Sequence, residues 1–267
     1  MSGADLIGRR ALLAAAGSSF LFSAVARAEV FTPVHRIGGV NASDGVYRSE
    51  RLRSFGDSQA WAFTGIRYGR AERFRAPVAL TKAEQLRGDV FGPACPQTGG
   101  RYRPQGEDCL FLNVWTPDID KPAKRPVMVY FHGGAYSTGS VTDALNDGAA
   151  LAARGDVVVV TVNHRLNALG YLYLARLDPD FPDSGNAGQL DLIVALQWIR
   201  RNIAAFGGNP GNVTVFGQSG GGAKIATLMA MPEARGLFHK AITMSGQQVT
   251  ASGPLNATKR AEAFLAK

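Results

Sequence analysis

The chain has 267 residues, of which 46% are hydrophobic and 19% charged, and its formal net charge is +8. This composition is typical of a globular protein and excludes disordered and fibrous classes. Basic residues form no long run interleaved with aromatic residues, so we expect no nucleic-acid partner.

Residues 1–28 have the features of an export signal. Arg9-Arg10 precede the uncharged segment 11–26, and positions 26–28 read A-R-A. A basic start, a short apolar core and small residues at a cleavage site are typical of a signal peptide. The arginine pair resembles the bacterial twin-arginine signal, with an ordinary secretory signal as the alternative. We expect an exported chain, periplasmic or secreted, that begins near Glu29 and has no membrane-spanning segment.

The next part of the chain predicts antiparallel structure. Residues 30–70 alternate short apolar runs with Gly, Asn, Asp and Ser turns, which favours a strand meander. Residues 71–126 are rich in Pro, Gly and Arg and are predicted to be mostly loop. Within them, FLNVWTP (111–117) is predicted to be a strand.

The second half of the chain alternates apolar runs with helical segments. The runs cover 126–134, 156–165, 213–217 and 240–246, and their lack of alternation predicts strands buried on both faces. Helices are predicted at Ala144–Arg154, Leu190–Phe206 and Gly222–Ala230. This order predicts βαβ units, and hence an α/β fold with a mostly parallel, doubly wound sheet.

Ser219 lies in the pentapeptide G-Q-S-G-G at 217–221, which fits G-x-S-x-G. The pentapeptide alone is common in a glycine-rich chain, but here it follows an apolar strand and precedes a helix. Such a sharp strand-to-helix turn exposes a serine hydroxyl, and the helix N-terminus directs N–H groups toward the reacting oxygen. The context therefore predicts a nucleophilic serine.

A second glycine motif follows the strand at 126–131. We call residues 132–135 (H-G-G-A) the HGGA loop. Serine hydrolases of the α/β type place their oxyanion-hole loop at this point, and glycines let backbone N–H groups approach the substrate closely. A simple glycine turn is the alternative, which the nearby serine motif disfavours.

Cys95 and Cys109 are the two cysteines of the chain. In an exported protein an even number of cysteines indicates a disulfide, with two reduced buried thiols as the alternative. Histidines and cysteines show no metal-ligand spacing, so we expect no metal and no cofactor.

Several segments together resemble the type-B carboxylesterase family, which includes the cholinesterases. The longest is QLDLIVALQWIRRNIAAFGGNPGNVTVFGQSGGG, and GEDCLFLNVWTP, FGPACPQ, VTVNHRLNALGYL and AFTGIRYGRAERFRAP also have counterparts there. The resemblance runs from about residue 30 to the end. It implies an α/β-hydrolase fold, a small-molecule ester as substrate, and that 29–267 is the N-terminal portion of the domain.

The resemblance also implies roles for individual residues. Ser219 would be the nucleophile that forms an acyl-enzyme, and Cys95 and Cys109 would form the first disulfide of the family. The oxyanion-hole N–H groups would come from Gly134, Ala135 and Gly220.

Three positions depart from the family pattern. Gln218 replaces the usual Glu beside the nucleophile, which removes a negative charge without preventing attack on an ester. Gly220 replaces the usual Ala and still carries an N–H group, and Arg67 lies where a proline is common.

The acid and histidine of the triad are not recognisable in this chain. In α/β-hydrolases both groups follow the serine in the chain. The acidic residues and histidines after Ser219 in this sequence are Glu233, His239 and Glu262. None of these fits the family order, and His132 and His164 are interpreted as structural. We therefore expect a sheet that is incomplete on its C-terminal side, weak or absent activity, and a missing C-terminal half that supplies both groups.

The glycine-rich motif and the fold each suggest one alternative to an esterase. A nucleotide-binding P-loop needs G-x4-G-K-[ST], and GQSGGGAK lacks both that spacing and the hydroxyl residue after Lys224. A catalytically inactive, cholinesterase-like binding protein would share the fold, although the intact serine and glycine motifs favour the enzyme.

Overall fold

The computed structural model describes residues 32–34, 37–49, 51–55, 57–120, 123–246 and 251–267. The predicted signal peptide at 1–28 and His35 lie outside the described residues. Searched over the described part, the chain contains no helix with the length and apolar character needed to cross a membrane.

The strands of the described residues are, in chain order, β1 (Thr32–Val34), β2 (Gly38–Ala42), β3 (Gly45–Ser49), β4 (Leu52–Phe55), β5 (Ser58–Arg70), β6 (Val78–Gln85), β7 (Phe111–Thr116), β8 (Arg125–Phe131), β9 (Val158–Val162), β10 (Gly208–Gln218) and β11 (Lys240–Met244). The α-helices are α1 (Ala149–Gly155), α2 (Asn167–Tyr171), α3 (Ala187–Asn202), α4 (Gly220–Ala230) and α5 (Pro254–Leu265). Short 3₁₀ turns occupy Ala144–Asn146, Ser184–Asn186, Ile203–Phe206 and Pro232–Ala234.

The main sheet is mixed. Its strand order is β1-β4-β5-β7-β9-β8-β10-β11, and β6 pairs with residues 66–70 at the C-terminal end of β5. Strands β9, β8, β10 and β11 run parallel to one another, whereas the strands from β1 to β7 are joined by antiparallel pairs. A separate hairpin pairs β2 with β3. The antiparallel meander predicted for 30–70 and the α/β fold are both confirmed.

The core occupies both faces of this sheet. In β9, Val158, Val160 and Val162 pack in the larger hydrophobic cluster with α3, while Val159 packs with α1 on the opposite face. Alternate residues of a strand point to opposite faces, so a strand covered on both sides is buried at every position, as β9 is. This explains why the sequence of β9 shows no alternation and confirms its prediction as a buried strand.

Strand β6 was missed by the sequence analysis, which predicted loop around it. Its residues VALTKAEQ include Lys82 and Glu84, and no position in the strand is fully buried. The strand pairs only with β5, with an irregularity between Arg67 and Gly69. Because none of its residues is fully buried, the strand carries little of the apolar signal that identified the others.

The prediction that β11 is buried on both faces is wrong for the described residues. Four of its five residues are exposed, among them Ile242 and Met244. The reason is position, because β11 pairs only with β10 and forms the edge of the sheet. Its apolar composition is that of a central strand, and the structure shows nothing beside it among the described residues.

The expected disulfide is not formed. Cys95 and Cys109 are free, buried thiols that hydrogen bond to each other, and this contact lowers the pKa of Cys95 and raises that of Cys109. The Sγ atom of Cys95 also accepts the N–H group of Leu166 at 3.1 Å. The pair is therefore satisfied in reduced form, and the number and spacing of cysteines do not set the oxidation state, which depends on the compartment.

A buried ion pair joins the segment after β9 to α3. Arg165 and Asp191 have side chains only 3% and 0% exposed, and Nη2 of Arg165 lies 2.6 Å from Oδ1 of Asp191. The carboxylate also accepts the backbone N–H group of Arg165 at 3.0 Å. The guanidinium donates further to the carbonyl groups of Glu72, Arg75 and Ala187. Both charges are thus satisfied inside the protein.

Candidate active site

Ser219 lies at the turn between β10 and α4, at the position that the sequence predicted. Its backbone has φ 54° and ψ −123°, a conformation that non-glycine residues rarely adopt. The N–H group of Ser219 donates to the carbonyl oxygen of Met244 in β11 at 2.8 Å. The side chain is half-buried, and among the described residues no histidine or carboxylate hydrogen bonds to its hydroxyl group.

The glycines around Ser219 are required by close backbone contacts. A Cβ atom on Gly217 would lie 2.7 Å from the carbonyl carbon of Gly221 and 2.8 Å from the carbonyl oxygen of Phe131. A Cβ atom on Gly221 would overlap that same carbonyl oxygen. The turn can therefore be this sharp only because these positions carry no side chain.

Gly221→Ala is expected to destabilise the protein by about 1–3 kcal/mol or more, because the new methyl group would displace the backbone at the end of β8. Thermal unfolding of the purified variant measures this loss. Gly253→Ala is the matched control, since a Cβ atom there meets nothing within 4 Å. Equal unfolding midpoints for the two variants would contradict the steric argument.

Like Ser219, residues of the HGGA loop and the following Tyr136 have positive φ angles. Gly134 has φ 92°, and the following Ala135 and Tyr136 have φ 50° and 63°. The carbonyl oxygen of Gly134 accepts the N–H groups of Ser137 and Thr138 at 2.9 and 3.0 Å. The N–H groups of Gly134 and Ala135, by contrast, have no acceptor among the described residues. They are left free to bind a ligand oxygen.

The HGGA loop lies directly against the serine turn. A Cβ atom on Gly220 would lie 2.8 Å from the backbone nitrogen of Ala135, and one on Gly133 would lie 3.5 Å from Cβ of Ser219. As the first residue of α4, Gly220 has an N–H group without an intrahelical partner. The structure thus brings together Ser219 and all three residues that were predicted to donate to an oxyanion.

A cavity of about 350 Å³ adjoins the loop. Gly133, Gly134 and Gln218 line it together with Tyr102 and Asp143. A hydrogen bond from the N–H group of Leu145, followed by bonds from the Tyr102 hydroxyl and the Arg101 guanidinium, holds the pKa of Asp143 below its usual value. Asp143 is therefore ionised but neutralised by its neighbours. Sequence reasoning missed it, because no motif marks a lone acid in a loop.

The described histidines are not placed to activate Ser219. His239 binds the backbone of Val213 through both its N–H group and Nδ1, six residues before Ser219 along β10. At about 3.3 Å per residue this puts it about 20 Å away. His132 and His164 are fully buried with ring centroids 4.5 Å apart. Burial lowers the pKa of His132 to about 3 and also lowers that of His164, so both rings accept a proton only weakly.

Arg67, the third departure from the family pattern, lies in β5 and pairs with residues of other segments. Its guanidinium forms ion pairs with Asp108 and Glu84 and covers the ring of Phe111 at 4.4 Å. Its side chain is only 11% exposed. Arg67 therefore replaces proline as a packed surface residue and does not reach Ser219 through any of these contacts.

Comparison with known proteins identifies the family of this chain. The family model for the carboxylesterase family matches residues 38–266. The para-nitrobenzyl esterase of Bacillus subtilis is 47% identical over 187 residues, which cover 67% of this chain and 37% of that protein. Human carboxylesterase 3 is 40% identical over 260 residues, which cover 90% of this chain and 43% of that protein.

Solved structures agree as well. An esterase of Clostridium hathewayi, whose structure is described as one that can hydrolyse aliphatic aromatic polyesters, superposes with a TM-score of 0.73 at 44% identity, over 81% of this chain and 45% of that one. A carboxylesterase of Geobacillus stearothermophilus superposes with a TM-score of 0.77 at 36% identity, over 85% of this chain and 47% of that one. The chain spans less than half the length of these relatives. By the match of its sequence over residues 38–266 and by its α/β-hydrolase fold, the chain belongs to the carboxylesterase family.

Proposed function

We propose that the protein hydrolyses carboxylic esters with Ser219 as its nucleophile. The observation that carries this proposal is the apposition of the strained Ser219 with three backbone N–H donors, those of Gly134, Ala135 and Gly220. Family membership supports ester hydrolysis as the reaction. Small-molecule esters are the substrate class that we infer.

The reaction has two steps. The hydroxyl oxygen of Ser219 attacks the ester carbonyl carbon, the hydroxyl proton leaves to a base, and the carbonyl oxygen becomes an oxyanion that the backbone N–H groups stabilise. The intermediate collapses to an acyl-enzyme as the base gives this proton to the departing alkoxide oxygen, which leaves as the alcohol. Water then attacks the acyl group and loses a proton to the base, which passes it to the Ser219 oxygen as the carboxylic acid is released. Each N–H donor to the oxyanion typically contributes about 10²–10³ in kcat.

We propose that the base and its acid come from a part of the protein outside the described residues, since His239 lies at the far end of β10 and burial makes His132 and His164 weak proton acceptors. The exposed edge of β11 supports this proposal, because Met244 there bonds to Ser219 and further strands can pair at this edge. The length of the relatives is consistent with such a C-terminal part.

Covalent labelling tests the function directly. A fluorophosphonate probe reacts with an activated serine, and we expect one adduct on the peptide that contains Ser219, identified by mass spectrometry after digestion. Pre-incubation with a p-nitrophenyl ester should slow the labelling by competition. An adduct on another residue would contradict the assignment.

A non-catalytic binding protein is the second candidate. It is favoured by one observation, that no described histidine or carboxylate contacts the hydroxyl of Ser219. Absence of any fluorophosphonate adduct on the protein as its gene encodes it would support this candidate over the esterase.

A further inference from the structure

Lys224 is a buried cation beside the candidate active site that the sequence analysis did not assign. It lies one turn into α4, the helix that follows Ser219, and its side chain is 0% exposed. Its Nζ atom donates a hydrogen bond to the carbonyl oxygen of His132 at 3.0 Å. The same atom lies 5.2 Å from the centroid of the Tyr136 ring. The Lys224 side chain therefore contacts His132, the first residue of the HGGA loop, and Tyr136, the residue that directly follows the loop.

An ion pair does not explain this lysine. Among the described residues no carboxylate forms a salt bridge with Lys224, and burial lowers its pKa from 10.5 to about 7. Burial lowers the pKa of both His132 and His164, so neither ring is a charged partner. The Tyr136 ring faces the amine and contacts Tyr171 of α2. Asp191 of α3, the helix that packs against α4, is paired with Arg165. A buried cation without a counterion lowers stability, and an apolar side chain of similar length would serve the core better.

The loop that Lys224 contacts needs support from outside itself. Gly134, Ala135 and Tyr136 all have positive φ, and strained backbone persists only where its surroundings hold it. The far end of the loop is bound by the N–H group of Asn167, which donates to the carbonyl oxygen of Tyr136 at 2.9 Å. At the near end, the side chain of Lys224 joins the loop to α4, the helix that follows Ser219.

We propose that Lys224 is a positioning residue whose bond to His132 sets the HGGA loop, and with it the N–H groups of Gly134 and Ala135, at the correct distance from Ser219. As a statement about reactivity, this rests on the proposed function. Oxyanion donors act only within about 2.7–3.1 Å of the oxygen, and a misplacement of about 1 Å lowers the rate about 10²-fold. Lys224 acts through the loop and does not touch the reacting atoms.

The charge of Lys224 makes the proposal testable by pH. The protonated amine donates the stronger, charge-assisted bond to His132. As pH rises through about 7, the amine becomes neutral and this bond weakens. The advantage of the wild type over a variant without the amine should therefore shrink over the same range. The titration of the catalytic base is common to both proteins and cancels in the ratio of their rates.

The stability of the wild type should increase as pH rises, whereas its advantage in reactivity decreases. Lys224 has a pKa of about 7 in the folded protein and 10.5 as its ordinary value. Below about pH 7 the amine is protonated in both the folded and the unfolded protein, and the penalty for burying its charge is fully present. Between about pH 7 and 10.5 the amine is protonated only in the unfolded protein, so the penalty is relieved and stability increases with pH. Lys224→Met is therefore expected to unfold at a higher temperature than the wild type, with a larger gain at pH 7 than at pH 10.

The experiment compares Lys224→Met with Leu228→Ala, a buried position one turn further along α4, in the protein as its gene encodes it. The rate constant for fluorophosphonate labelling of Ser219 is measured from about pH 6 to about pH 9, together with the thermal midpoint. Lys224→Met should label about 10- to 100-fold more slowly below pH 7 without losing stability. Leu228→Ala should lose stability and label within twofold of the wild type.

Amide hydrogen exchange supplies a readout that needs no activity. The N–H groups of Ser137, Thr138 and Asn167 bond to carbonyl oxygens of the loop and of Tyr136. They should exchange at least about tenfold faster in Lys224→Met than in the wild type if the lysine holds the loop. Exchange that is unchanged at these amides would overturn the proposal.

Labelling of Lys224→Met within twofold of the wild type, or an equal loss in Leu228→Ala, would also overturn it. If the wild type itself is not labelled, the proposed function fails, and the exchange measurement alone decides whether Lys224 positions the loop. If Lys224→Met does not fold, Lys224→Gln is compared on the same readouts with the same criteria.

Discussion

Ester hydrolysis is expected to fall about 10⁴- to 10⁶-fold when Ser219 is replaced by alanine. The substitution removes only the hydroxyl group, and no acyl-enzyme can form without its oxygen. The backbone strain at φ 54° is the same for alanine as for serine, so the variant should remain folded. Initial rates with p-nitrophenyl acetate, measured on the protein as its gene encodes it, check this prediction.

Ser245→Ala is the matched control for that measurement. Ser245 follows β11, is exposed, and also has φ 54°, so the same substitution is made at the same backbone conformation close to the site. Its activity should equal that of the wild type. Retention of activity in Ser219→Ala, or a comparable loss in both variants, would show that another residue is the nucleophile.

Breaking the buried ion pair should give the largest loss of stability. Asp191→Asn removes the negative charge and leaves the guanidinium of Arg165 buried without a counterion, which typically lowers the free energy of unfolding by about 3–5 kcal/mol. The loss should extend to the site, because the residues after Arg165 bind Cys95 and the carbonyl oxygen of Tyr136. Urea denaturation, with the free energy extrapolated to zero urea, measures it.

Asp156→Asn provides the comparison for this second prediction. Asp156 pairs with Arg125, but its side chain is 74% exposed, so solvent screens the charge and the expected loss is below about 1 kcal/mol. Asparagine also tolerates the left-handed backbone of Asp156, which has φ 47°. Equal losses in Asp191→Asn and Asp156→Asn would contradict the argument from burial.

Local sequence was sufficient wherever a single segment carries the information. The β-branched run of β9 predicts a strand covered on both faces, because it lacks the alternation of apolar and polar residues that a half-exposed strand shows. The pentapeptide at 217–221 predicts the serine turn, because glycine alone permits the backbone contacts that such a turn creates. The family resemblance, read from motifs of this kind, is confirmed over residues 38–266.

Properties that depend on which segments become neighbours were decided only by the tertiary structure. The composition of β11 is that of a buried strand, yet its exposure depends on what pairs with its free edge. Cys95 and Cys109 meet as predicted but remain thiols, because contact does not determine oxidation state. Lys224 is a polar residue in an apolar helix, and only the packing of α4 against the HGGA loop shows that its amine is buried and bound to His132. Sequence alone determined the fold and the position of Ser219, whereas burial, pairing and charge in the site arise from long-range contacts that no local pattern encodes.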